Sequence, residues 1–151
     1  MSAALTAPQH VNGYIEKVML LPGHIIFDTK LDTGADFSSL NALHIKVETK
    51  QQQKFVSFDV IDNKNSLQHL TYPLTKMITI KARHAEAENP AKMQRPMIEM
   101  KICFDNHVET VRVNLVDREN FAYPFLMGRE ALVKFNALVD PAHKYLYQLK
   151  C

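Results

Sequence analysis

An acid, a hydroxyl residue and a glycine stand in a row at Asp32-Thr33-Gly34, and a second acid, Asp36, follows Ala35. A carboxylate at a strand-to-turn junction can be held rigidly while it faces a cleft, as general acid–base work on a bound water requires. Gly34 permits close backbone approach or a positive φ, which tight turns around reacting groups often need. Thr33 brings a hydroxyl that donates and accepts without adding charge. The tripeptide recurs in many proteins, so its meaning depends on the rest of the chain.

Other chemistries find little support. Histidines occur at positions 10, 24, 44, 69, 84, 107 and 143, with no His-Glu-x-x-His and no close Cys/His set. Each reads as a surface or strand histidine, and no metal is predicted. There is no Gly-x-x-x-x-Gly-Lys loop, and four glycines are too few for a phosphate cradle. A Gly-x-Ser-x-Gly elbow is also missing, and neither cysteine has a local activation signature. No cofactor is expected. With only Cys103 and Cys151, a disulfide framework is not indicated, and Cys103 reads as a small buried apolar residue.

A chain of 151 residues with 46% hydrophobic and 23% charged residues is suited to one domain with a real core. A formal charge of +2, with the basic residues dispersed, argues against nucleic acid. No apolar run is long enough to span a bilayer. The first residues, Met1 to Ala7, lack the basic and apolar regions of a signal peptide. The expectation is a soluble cytoplasmic protein, although a chain trimmed after export would read the same.

The elements that must position Asp32 are mostly strands. Residues 1–12 read as a loose arm and 13–151 as one domain. Tyr14 to Leu21 is a strand closed by the turn pair Pro22-Gly23, and His24 to Leu31 is the strand that delivers Asp32. After a turn at Ser38-Ser39, Leu43 to Glu48 and Phe55 to Ile61 form strands around the polar loop Lys50 to Lys54. Asp62 to Ser66 has turn chemistry, and Leu67 to Lys81 holds one or two strands broken at Pro73. Ala82 to Arg95 reads as a long loop, a candidate lid that includes His84 and Arg95. Met97 to Phe104 and Val108 to Val116 pair as a hairpin, and Asp117 to Tyr123 is a loop. Pro124 to Arg129 is a short apolar strand ending on Gly128. A short helix follows from Glu130 to Phe135, then a turn at Asp140-Pro141 and a closing strand from Lys144 to Leu149.

Two of the four glycines, Gly34 and Gly128, fall in the two segments that matter here. Asp-Thr-Gly-Ala-Asp after a strand, with Phe125-Leu126-Met127-Gly128-Arg129 before a helix, resembles the retropepsin-like aspartic proteases. The likeness extends to a bacterial branch often labelled ATP-dependent zinc protease. It runs through Gly13 to Glu16, Arg95-Pro96, Val116 to Arg118, Tyr123-Pro124 and Val139 to Pro141.

The resemblance implies an all-β fold, a closed β-barrel with one short helix near the C-terminus. It implies an endopeptidase in which Asp32 is catalytic, Thr33, Gly34, Ala35 and Asp36 support the active-site loop, and Leu126, Met127 and Gly128 lock it. Thr33 would bond across a dimer, and Asp36 with Arg129 would form an ion pair beneath the site. Two carboxylates must share one proton, because two ionised groups about 3 Å apart repel by roughly 5 kcal/mol at an effective dielectric near 20. One chain supplies one such motif, so the expected partner is a second copy in a two-fold homodimer. Ala35 offers the carboxylate no hydroxyl, which places the expected pH optimum nearer neutral.

The chain also departs from the family. The candidate lid contains no glycine, unlike the flaps of retroviral enzymes. A basic residue more usually follows Asp-Thr-Gly-Ala in the bacterial branch, and Asn41 stands where a histidine is common. Zinc and ATP dependence are not carried over. The expected partners are a peptide or protein substrate and, by analogy with the branch, a glutamate-ligase-type enzyme. A non-catalytic peptide-binding or regulatory protein on the same fold is the alternative.

Overall fold

Alternating apolar and polar residues build the frame strand by strand. The structure, a computed structural model, describes residues 9–80, 94–117 and 122–151. Among these residues twelve strands and one helix follow in order: β1 His10–Gly13, β2 Ile15–Leu21, β3 Ile25–Leu31, β4 Ser38–Asn41, β5 Leu43–Lys50, β6 Gln53–Ile61, β7 Leu67–Pro73, β8 Lys76–Thr79, β9 Gln94–Phe104, β10 His107–Val116, β11 Phe125–Met127, α1 Arg129–Lys134 and β12 Ala137–Asp140.

Six of the strands close on themselves. The order β10-β4-β11-β3-β2-β9 returns to its start because β9 also pairs with β10, and β8 adds to the outside of β9. This is the all-β closed barrel that the resemblance implies, with a single short helix among the described residues. Closure removes the free edges that an open sheet of this size would expose. In β3 the inward residues Ile25, Phe27, Thr29 and Leu31 alternate with more exposed ones. Phe27 stacks on Phe125 of β11 at 6.3 Å between centroids, deep in the interior. A separate sheet, β5-β6-β7, turns Val56, Phe58 and Val60 into the same core. The first described strand, β1, pairs in parallel with the last, β12.

Several expectations need correction. Ser38-Ser39 is not a turn: it opens β4, which runs parallel to β10, and Ser38 is buried there. His10 to Asn12 belong to β1 rather than to a loose arm, because Ala137 to Asp140 form a strand that pairs with them. Arg95 lies within β9, at 7% exposure, and not in a loop. The rest of the candidate lid, residues 81–93 and therefore His84, lies outside the described residues.

The segment from Lys144 to Leu149 is also not a strand. It is a strap laid across β2: Tyr145 donates its backbone N–H to Ile15 O, and the Tyr147 hydroxyl reaches Lys17 O. The fully buried Glu16 carboxylate accepts the N–H groups of Gly13 (2.7 Å) and Leu146 (2.9 Å). Gly13 is required for contact here, since a Cβ would sit 2.6 Å from His143 O. Burial, with Asp28 beside it, raises the Tyr145 phenol to about 12.

The strap ends in a disulfide. Cys103 of β9 is buried as expected, but it bonds to Cys151, a disulfide that the two-cysteine count did not indicate. The local sequence had no way to show it, because the strap brings together residues 48 positions apart. A cross-link over that separation restricts the unfolded chain by roughly 4 kcal/mol in the chain-entropy treatment, and measured losses are commonly about 2–5 kcal/mol. Cys151→Ser is expected to lower Tm by about 5–15 °C. Reductant should lower the wild type equally and leave the variant unchanged in a calorimetric scan.

Candidate active site

Asp32 stands immediately after β3, half-buried, and its loop is pinned from several sides. Its backbone N–H donates to Met127 O at 2.8 Å, continuing the parallel pairing of Leu31 with Met127. Its Oδ1 accepts the Gly34 N–H at 2.9 Å, which orients the carboxylate. Of the two uses open to Gly34, the structure selects close approach. No glycine has positive φ, and a Cβ at Gly34 would lie 3.2 Å from Asp32 Oδ1. Thr33 and Gly34 are exposed at the tip.

The second motif meets the first. β11 lies between β3 and β4, so Phe125-Leu126-Met127 wedges the loop's two ends apart at a fixed spacing. Beyond it, Arg129 N–H donates to Ala35 O at 2.7 Å and Glu130 N–H to Asp36 O at 3.1 Å. Both donors sit in the first turn of α1, where backbone N–H groups have no partner inside the helix. Gly128 is pressed against the loop: a Cβ there would lie 2.4 Å from Phe37 O. Arg129 and Asp36 form the anticipated ion pair. Both side chains are more than half exposed, so the pair adds little stability and serves mainly to orient.

Further supports went unnoticed in the sequence. Glu130 accepts the Arg112 N–H at 2.9 Å, tying α1 to β10, and the Arg112 guanidinium lies 4.7 Å from the centre of the Phe37 ring. Asn114 of β10 donates to Ser38 O, and the Ser38 hydroxyl accepts the Gly128 N–H. Their signal was weak because each is a polar residue whose partner is distant in sequence.

No other carboxylate bonds to Asp32 among the described residues. No group of three or more His, Cys, Asp or Glu among them is arranged to hold a metal ion. His44 and His69 instead share the Asp59 carboxylate, each at 2.7 Å, and these two bonds hold Asp59 below its usual range. A recess of about 300 Å³ lined by Asp28, Asn41, Asp62 and Asn65 does not include Asp32. No helix among the described residues is long and apolar enough to cross a membrane.

The family profile described as retropepsin-like aspartic endopeptidase RimB matches residues 11–150. The chain belongs to the RimB-like family. A crystal structure of a Legionella pneumophila protein of unknown function is similar to it, with 29% identity and a TM-score of 0.76. That match covers 92% of this chain and 98% of the other. Two Shewanella proteins named probable alpha-L-glutamate ligase, from S. halifaxensis and S. pealeana, are 28% and 27% identical over 116 residues. Those residues are 77% of this chain but 25% of each relative, so the chain spans about a quarter of the ligase-named proteins it matches. The RimB-like match joins both halves of the site, since it includes the Asp32 loop and the β11–α1 clamp.

Proposed function

We propose that this RimB-like chain is an aspartic endopeptidase whose active site is built from two copies, each contributing Asp32. The observation that carries the reading is the clamp. An acid is held half-exposed at a strand end by an internal N–H bond and by an inserted strand, while among the described residues no second acid of its own chain bonds to it. A rigid carboxylate that lacks its mate fits a site completed across a two-fold axis.

In the assembled pair, one Asp32 carboxylate takes a proton from a water lying between the two. That oxygen attacks the peptide carbonyl carbon while the other Asp32, protonated, donates to the carbonyl oxygen. Collapse of the tetrahedral diol breaks the C–N bond: the carboxyl that received the water's proton delivers it to the leaving nitrogen, and the other Asp32 carboxylate takes back a proton from a diol hydroxyl, leaving a carboxylic acid product and restoring the shared proton. The ligase name of the Shewanella relatives suggests the substrate class. We assign to this chain peptides or protein tails extended with α-linked glutamate, and a ligase of that kind as functional partner. The same relatives also favour a second reading, in which the domain binds such a chain and regulates the ligase without cutting.

One experiment separates the two. Purified protein is incubated with oligo-α-glutamyl and mixed-sequence peptides between about pH 4 and 8, with sedimentation measured in parallel. Cleavage by a dimer, with an optimum above pH 4 as Ala35 requires, supports the peptidase. A protein that stays monomeric at micromolar concentration and binds glutamyl peptides uncut supports the regulator.

A further inference from the structure

We propose that Arg95 and Asn114 are positioning residues for the Asp32 loop, with Arg95 setting which way round the Asn114 carboxamide sits. The inference rests on the aspartic-peptidase reading for its kinetic consequence, though not for its structural one.

Arg95 is a cation buried to 7% exposure on β9, a placement that is costly unless polar partners surround it. Its Nη1 donates to Asn114 Oδ1 at 3.2 Å. Asn114, at 4% exposure on β10, also accepts the Ser39 hydroxyl on Oδ1 at 2.9 Å. Its Nδ2 donates to Ser38 O at 3.0 Å. Ser38 then accepts the Gly128 N–H on its own hydroxyl at 3.2 Å. Gly128 follows Met127, whose carbonyl receives the Asp32 N–H. The network therefore reaches both ends of the catalytic loop.

A guanidinium can only donate. The oxygen of Asn114 must therefore face Arg95, and the NH2 must face the Ser38 carbonyl. Turned over, the carboxamide would set donor against donor at Arg95 and acceptor against acceptor at Ser38. Arg95 thus fixes the orientation of a group that bonds directly to Ser38, the first residue after the loop. The Ser39 hydroxyl, which can donate or accept, could not enforce this alone.

Asn114→Asp separates the two roles. A carboxylate keeps, and strengthens, the bond to Arg95, but it presents oxygen to the Ser38 carbonyl. The expected result is a Tm at or above wild type, with kcat lowered about 10- to 100-fold and KM within about two-fold. Arg95→Met should lower kcat similarly, and Arg95→Lys, which retains a donor, should recover part of it. Hydrogen exchange of the amides from Asp32 to Ser38 should quicken in Asn114→Asp and Arg95→Met, with the rest of the barrel unchanged. Wild-type kcat and exchange in Asn114→Asp would overturn the proposal, as would kcat losses that simply track Tm across the three variants. If the wild type cleaves nothing, the peptidase reading fails, and the exchange measurement still decides the network.

Discussion

Asp32→Asn is expected to remove peptide cleavage, lowering kcat/KM at least about 1000-fold, while leaving the fold and dimer intact. The side-chain oxygen of Asn can still accept the Gly34 N–H that now reaches Asp32 Oδ1 at 2.9 Å, and the backbone bond to Met127 is untouched. What is lost is the exchangeable proton, without which neither water nor leaving nitrogen is served. The variant also tests the shared site. When wild-type and Asn chains are mixed and allowed to exchange, a site needing two Asp32 residues retains activity as the square of the wild-type fraction. An equal mixture should keep about a quarter of the starting rate, whereas independent sites would keep about half. Activity assays across a mixing series, with exchange verified by mass-labelled chains, distinguish the two curves. Undiminished cleavage by the pure variant would place the chemistry elsewhere.

Gly128→Ala should also be damaging, though less so, for a steric reason. The residue has φ −89° and ψ −178°, which any amino acid adopts, so conformational freedom is not what the position needs. It needs space. An added methyl would sit 2.4 Å from Phe37 O, 2.5 Å from Phe37 C and 3.0 Å from Ala35 O, and all three are backbone atoms that cannot swing aside. Either β11 or the loop must withdraw. Overpacking of this kind commonly costs about 1–3 kcal/mol, which predicts a Tm lowered by about 3–12 °C. Displacing the loop by about 1 Å is enough to cost on the order of 100-fold in rate. Gly23→Ala is the control, because its nearest neighbours are Ile25 side-chain atoms at 3.4 Å. That variant should match wild type in both melting and turnover.

What the sequence disclosed follows the range of the interactions. The strand before Asp32, the two-glycine pattern and the hairpin of β9 with β10 are carried by residues near one another in sequence, so alternation and turn chemistry suffice. β4 and β12 escaped notice because each is short and is stabilised by a parallel partner far along the chain, Val113–Val116 for one and His10–Gly13 for the other. Arg95 was misplaced for a related reason. It adjoins a polar stretch, and its bond to the Asn114 carboxamide across the barrel is a contact that local sequence does not show. The Lys144–Leu149 strap has strand-like composition, yet Glu16 and the disulfide, rather than a ladder, hold it. The clamp on Asp32 was legible as a pair of motifs. Its outer supports at Asn114, Arg112 and Glu130 were not.

The insertion of β11 between β3 and β4 also dictates an order of events. The Asp32 loop is made well before the strand that separates its flanks and the helix N–H groups that hold Ala35 and Asp36, which come only with residues 125–130. Contacts so distant along the chain form late, after the intervening segments have collapsed. A nascent chain that has not yet reached residues 125–130 therefore carries the acid without the clamp that shapes it. The shape of the Asp32 loop is thus settled only once residues 125–130 have joined the barrel, a delay set by strand order.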